Sequence, residues 1–275
     1  MTINGSISQA TLRILADSLD DLEEQRKSTD NRIRSLRQVY GYTDADNASP
    51  EMVRLQAIAD GISELESMAI LDLKRALRTH PLGPWVKATA GIGEKTGARL
   101  LAAIGDPAWN TLHDRPRTLS ELRSYCGYGD PERQKRRKGQ KANWSNEAKM
   151  RAFLCAEAAI KAGVRKVREP DDSDGYDLDA RQAITDYGQV YLDGRAKYLH
   201  SVHPWPCERC TGKGQPPAEP GSPRKPSHEH AMAVCLVSKA ILADLYNEAV
   251  SLRAGHRTDD AQTRAVGSEA QAVAS

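Results

Sequence analysis

Two cysteines and four histidines between positions 200 and 230 are the residue types best suited to chemistry in this 275-residue chain. Cys207-Glu208-Arg209-Cys210 is a C-x-x-C, and Thr211-Gly212-Lys213-Gly214 extends it to C-x-x-C-x-G-x-G, a spacing seen in zinc knuckles. Two thiolates so placed fill two corners of a tetrahedron, and the glycines let backbone N–H groups turn back towards the sulfurs. The other two corners fall either to His200 and His203 upstream or to His228 and His230 downstream, across a proline-rich segment, 215–227, expected to be flexible. His203 ranks first because it is close in sequence and extended. His228 and His230 stand at i and i+2 and point apart on a continuous helix, so both serve only if Glu229 precedes the helix proper. The expected cofactor is structural zinc. No open coordination position is in view for catalysis. The plain alternative is a reduced C-x-x-C without metal, since a redox pair needs a βαβ context that is absent here.

A second constellation lies at Thr89–Pro107. A short helix over 84–88 runs into Gly91-Ile92-Gly93, and Leu100, Leu101 and Ile104 mark a second helix that Gly105 and Pro107 end. This is the pattern of a helix-hairpin-helix. Its glycines allow positive φ and a close approach to a ligand, leaving N–H donors at the start of the second helix, where the dipole also favours a phosphate. Lys95, Thr96 and Arg99 follow within reach of the same or the next phosphate. Gly91, Ile92, Gly93, Lys95, Thr96 and Arg99 are therefore expected to contact DNA. The bland alternative is a glycine turn between core helices, with Gly97 serving close packing.

The densest charge follows: Arg133, Lys135, Arg136, Arg137, Lys138 and Lys141, with Gly139 among them. As a solvated loop this run would repel itself, whereas beside a polyanion each cation releases counterions. It is expected to be a second nucleic-acid backbone contact. Other reactive types have quieter explanations. Cys155 sits beside Ala152 and Ala159 and reads as a packed residue, Glu157 as the partner of Lys161 four residues on, and Tyr187 and Tyr191 as one packing face. The acidic stretch 169–179 fails as a calcium loop: aligning Gly175 with the turn glycine puts Pro170 and Arg181 where ligands are needed.

These residues must be positioned by helices. The single phenylalanine leaves a core of Leu, Ala, Ile and Val, and apolar residues recur at threes and fours over 7–40 and again from Met52 to Leu77. The two segments read as an antiparallel hairpin whose seam closes internally or continues as a coiled coil, with homodimerisation favoured. Thr118-Leu119-Ser120-Glu121 is a capping box starting a short helix, and Ser145 caps another with Met150, Phe153, Ala156, Ile160 and Val164 as its stripe. Residues 180–199 are expected to be helical, and a last helix to run from about Glu229 to Leu252. The fold class is all-α. The organisation is a helical hairpin over 1–80, a helix-hairpin-helix domain over 81–253 with a Pro/Gly-rich insertion over 200–230, and a disordered tail over 254–275. Five cysteines without a leader at Met1 predict a cytoplasmic chain without a disulfide framework, and no segment reads as membrane-spanning. The net charge of +2 excludes little, because the cations are local.

The order of a long helical hairpin, Gly91-Ile92-Gly93, Leu100-Leu101, Ile104-Gly105-Asp106, Tyr125-Cys126-Gly127-Tyr128, a basic loop, an alanine-rich helix and a final helix resembles the C-terminal half of insertion sequence 110 family transposases, over roughly 63–248. The resemblance implies a helical domain that handles DNA and follows a coiled coil. That family also has an N-terminal RuvC-like nuclease domain, for which this sequence has no counterpart, and a serine nucleophile. Gln134 or Lys135 takes the serine's approximate place here, and the nearest serine downstream, Ser145, reads as a helix cap. The resemblance thus implies DNA binding without bond breaking. Its alternatives are an active recombinase served by a separate nuclease or a relocated serine, and a helical protein-interaction scaffold. The zinc loop is not a feature of the family.

Overall fold

The computed structural model describes residues 3–41, 49–131, 134, 139, 141–173, 175–212 and 214–273, with side chains described within 9–255 of these. The chain is all-α, with two short β-hairpins. It divides into two compact units, Met1–Gly83 and Pro84–Ser275.

The first unit is a pair of long helices, α1 (Ile3–Tyr40) and α2 (Pro50–Thr79). Ser49 starts α2 by accepting the Met52 N–H, with proline in the first turn where its missing donor costs nothing. Contacts pair Gln9 with His80, Arg26 with Glu66, and Ile33 with Met52 and Ala59, so the helices run antiparallel. Leu12, Ala16, Leu19, Leu73 and Leu77 close the seam.

In the second unit, α3 (Gly83–Ala88) turns into α4 (Glu94–Ile104), and β1 (Trp109–Asn110) pairs antiparallel with β2 (Arg115–Pro116). Then α5 (Leu119–Tyr125) begins with the Thr118/Glu121 capping box and stops at Gly127, φ +71°. Next, α6 (Asn146–Gly163) begins on Ser145, whose hydroxyl accepts from the Ala148 N–H. β3 (Val164–Lys166) pairs antiparallel with β4 (Arg181–Ala183), and α7 (Asp186–Tyr198) and α8 (Pro226–Val273) follow. α6 is central: it packs on α4, α7 and α8. Leu100, Leu101, Leu122, Val234, Ile241, Leu242 and Leu245 fill the core.

Several expectations are corrected. Residues 181–183 form a strand, not the start of a helix, because Thr185 caps α7 by accepting the Gly188 N–H. The stretch read as a disordered tail continues α8 to Val273. Its alanine, arginine, glutamine and glutamate are good helix formers, and lack of apolar periodicity bears on burial, not on helicity. On α6 the expected stripe is buried at Ala156 and Ile160, but the rest of the buried face is Ala148, Ala152, Cys155 and Ala159, while Met150 and Phe153 are exposed. No helix among the described residues is long and apolar enough to cross a membrane.

Candidate metal centre and nucleic-acid interface

His203, Cys207, Cys210 and His228 converge, each offering a ligand atom within 4.8 Å of the others. Residues 201–226 achieve this by doubling back. Val202 bridges Pro223, Cys207 bridges Ala218, and the Gly221 N–H donates to the His203 carbonyl. The segment expected to be flexible is therefore clipped to the strand-like run ahead of the cysteines. Glu208–Cys210 forms a single 3-10 turn that aims both sulfurs the same way, and α8 starts early enough to bring His228 in its first turn.

The geometry suits a tetrahedral ion. Cys210 Sγ lies 3.2 Å and Cys207 Sγ 3.7 Å from His228 Nδ1, near the edges of about 3.3–3.8 Å that follow from metal–ligand bonds of about 2.0–2.3 Å. His203 is 2% exposed and its Nε2 has no hydrogen-bond partner, a cost that a bonded cation would remove. The Lys225 N–H lies 3.5 Å from Cys210 Sγ, a donor of the kind that stabilises a thiolate. Burial, then the charges of Arg209 and Arg224, hold His228 below its ordinary pKa, favouring the neutral imidazole a metal needs.

The ligand set thus takes one histidine from each expected pair. His200 is elsewhere, in a left-handed turn at φ +57°. His230 points away from His228, as two positions along a helix require. Its Nδ1 lies 2.8 Å from the Tyr191 hydroxyl, and its Nε2 lies 3.2 Å from Glu157 Oε1, an ion-pair distance at an angle short of a hydrogen bond. The expected Glu157–Lys161 pair is therefore replaced by Glu157–His230. Tyr187 and Tyr191 are both buried, as a packing face requires, and each hydroxyl is also bonded, Tyr187 donating to Asp244 at 2.8 Å.

No family model, curated protein or solved structure matches this chain.

The hairpin at Thr89–Glu94 divides the roles of its glycines. Gly91 has φ +83° and sits against α6, where an added Cβ would lie 2.6 Å from Ala159 Cα. Gly97 is equally closed, against Val86. Gly93 is different: it caps α4 with no side-chain hydrogen bond, is exposed, and has nothing within 4 Å of a Cβ position. Lys95 and Thr96 are half-buried beside it, Ile92 is buried, and Arg99 is only 7% exposed, inside the packed layer. Cys155, across from Thr96, is fully buried, and burial pushes its thiol up to about 12, which removes it as a nucleophile at neutral pH.

Of the basic run, Lys141 is exposed, and Arg133, Lys135, Arg136, Arg137 and Lys138 lie outside the described residues. Gln134 is a tether: its side chain accepts from the Gly129 N–H at 2.8 Å and donates to the Ser124 carbonyl at 2.6 Å. In 169–179, Asp177 is taken up by Arg168 and Asp172 by Arg181.

Proposed function

We propose that this chain is a DNA-binding protein that holds the phosphate backbone at the start of α4, in the manner of the helical domain of an insertion sequence 110 family transposase. The observation that carries the reading is the open, uncapped Gly93 turn with Lys95 and Thr96 in the first turn of the helix it starts. The first N–H groups of a helix have no partner within it, and the dipole there attracts an anion. Ile92 and Arg99, being buried, drop out of the contact set, and Gly91 acts by fixing the turn. The basic run from Arg133 to Lys141 supplies the second phosphate contact. Such contacts position a duplex without reading its sequence.

The ion at the four-ligand cluster is zinc: two thiolates and two imidazoles with no further position match its structural sites. It braces the 200–230 loop. The chain is a homodimer through the first unit, supported by Ile58, Leu65 and Met68 of α2, which stay 53%, 53% and 61% exposed on one copy.

The test is binding to labelled duplex, branched and single-stranded DNA across a salt series, beside Lys95→Ala and a variant with Arg136, Arg137 and Lys138 neutralised. Steep loss of affinity with salt is expected, with each lost phosphate contact lowering the slope of log K against log salt by about 0.9 on duplex. If the wild type binds none of these DNAs at low salt, the DNA reading is wrong and the helical scaffold reading replaces it.

A further inference from the structure

We infer that the cavity between the C-terminal end of α6, β3, β4 and α7 is a phosphate-binding site. It is a broadly open hollow of about 210 Å³, walled by Lys161, Arg165, Lys166, Arg181, Tyr176 and Tyr191, with only Ile160 and Val164 besides. Four walls are cations and none is a carboxylate. A water occupies about 30 Å³ in the liquid, so the space holds a tetrahedral phosphate group and several waters.

The nearby acids cancel part of this charge, at Arg181 and Lys166, and leave Arg165 and Lys161 uncompensated. Asp172 holds Arg181 through both of its oxygens, and Glu169 sits 3.8 Å from Lys166 in full solvent exposure. Arg165 bonds only the neutral Gln182 side chain, and Lys161 has no carboxylate partner among the described residues. Behind the wall lies a further cation. Arg195 is 3% exposed and stacks on Tyr176 at 4.1 Å, opposite Arg181 at 3.8 Å, so one ring separates two guanidinium groups. Arg195 donates to the Pro226 carbonyl, its Nε has no partner, and no carboxylate pairs with it among the described residues. Asp172, already bonded to Arg181, acts on Arg195 only through space, and an anion in the adjoining cavity adds to that compensation of a buried cation. Guanidinium forks and ammonium groups converging from β3, β4 and α6 suit phosphate oxygens.

The phosphate has two sources, a DNA backbone phosphodiester or a free nucleotide, and the first rests on the DNA-binding reading above. The experiment compares the wild type with the triple variant Lys161→Ala, Arg165→Ala, Lys166→Ala, all exposed positions, and with a control neutralising Lys27, Arg32 and Arg54 of α1 and α2. DNA affinity is measured across a salt series, and inorganic phosphate and adenosine monophosphate are titrated by calorimetry. A backbone phosphate is the occupant if the triple variant lowers the salt slope by about 1 while the control leaves it unchanged. A free phosphate is the occupant if phosphate or the nucleotide binds the wild type, binding is lost in the triple variant, and the DNA slope does not move. The inference is overturned if neither small ligand binds and the triple variant and control have the same DNA slope. If the wild type binds no DNA, the DNA reading falls, and the calorimetric arm alone upholds or overturns the cavity.

Discussion

Replacing Gly91 and Gly93 with alanine, one at a time, separates the packed glycine of the hairpin from the open one. At Gly91 a side chain at φ +83° costs about 1–2 kcal/mol in the left-handed region. Its Cβ would also meet Ala159 Cα at 2.6 Å, Ala162 Cβ at 3.0 Å and the Ala158 carbonyl at 3.2 Å. Two of these are backbone atoms in the middle of a helix and cannot swing aside, so overpacking adds about 1–3 kcal/mol. The stiffer unfolded chain returns about 0.4–1 kcal/mol. The net expectation for Gly91→Ala is a loss near 3 kcal/mol. Gly93 has φ −69° and open space, so alanine there adds no clash, and the weaker cap offsets the gain from the unfolded state to within about 0.5 kcal/mol. Urea unfolding followed by circular dichroism measures both, with equal m-values required for the comparison. Gly93→Ala should nonetheless weaken DNA binding, because its methyl group stands where a phosphate would approach. A Gly91→Ala protein within 0.5 kcal/mol of the wild type, or a Gly93→Ala protein as damaged as Gly91→Ala, would refute this division of roles.

Two further outcomes are expected. Purified protein should carry one zinc per chain by elemental analysis; Cys210→Ser and His228→Ala should lower zinc affinity by more than about 100-fold, exceeding the loss typical of outer-shell changes, while His200→Ala and His230→Ala keep the metal. Glu121 is held down to about 2, from an ordinary value near 4.5, by the Arg115 guanidinium first and the Thr118 N–H second. A depressed folded-state value means that its contribution to α5 is present above about pH 4.5 and lost as pH falls towards 2; a carboxyl NMR titration of Glu121 with a midpoint near 4.5 would count against the Arg115 pair first and the Thr118 cap with it.

Local signals were legible in the residues. Thr118 with Glu121, Ser145, and the two glycines of the hairpin each announce an element boundary, because caps and positive φ depend on a few adjacent atoms. The cysteine pair and His203 were legible for the same reason. The fourth ligand was legible only as half of the downstream pair: His228 lies 18 residues beyond Cys210 and is brought back by two bridges whose residues, Pro223 and Ala218, carry no marked pattern. Neighbouring histidines supply both remaining ligands only if the loop stays open. The central helix misled for another reason. Spacing at threes and fours runs its stripe through Met150 and Phe153, whereas close approach of Gly91 to Ala159 and Ala162 demands the small face inward. Spacing along its own helix pairs Glu157 with Lys161, whereas the partner it has, His230, lies far along the chain on α8.

Where α6 meets α7, Gly163 faces Gly188 with no room for a methyl group on either, since a Cβ on Gly188 would strike the Gly163 carbonyl and one on Gly163 would strike the Thr185 hydroxyl. The spacing of these helices is thus set by main chain against main chain. Side-chain layers can drift by exchanging one apolar residue for another, but a main-chain contact offers no such series of small steps. The crossing is therefore a fixed pivot in sequence space: Lys161 and Tyr191, a few residues to either side, can change their chemistry while the gap between them keeps its width.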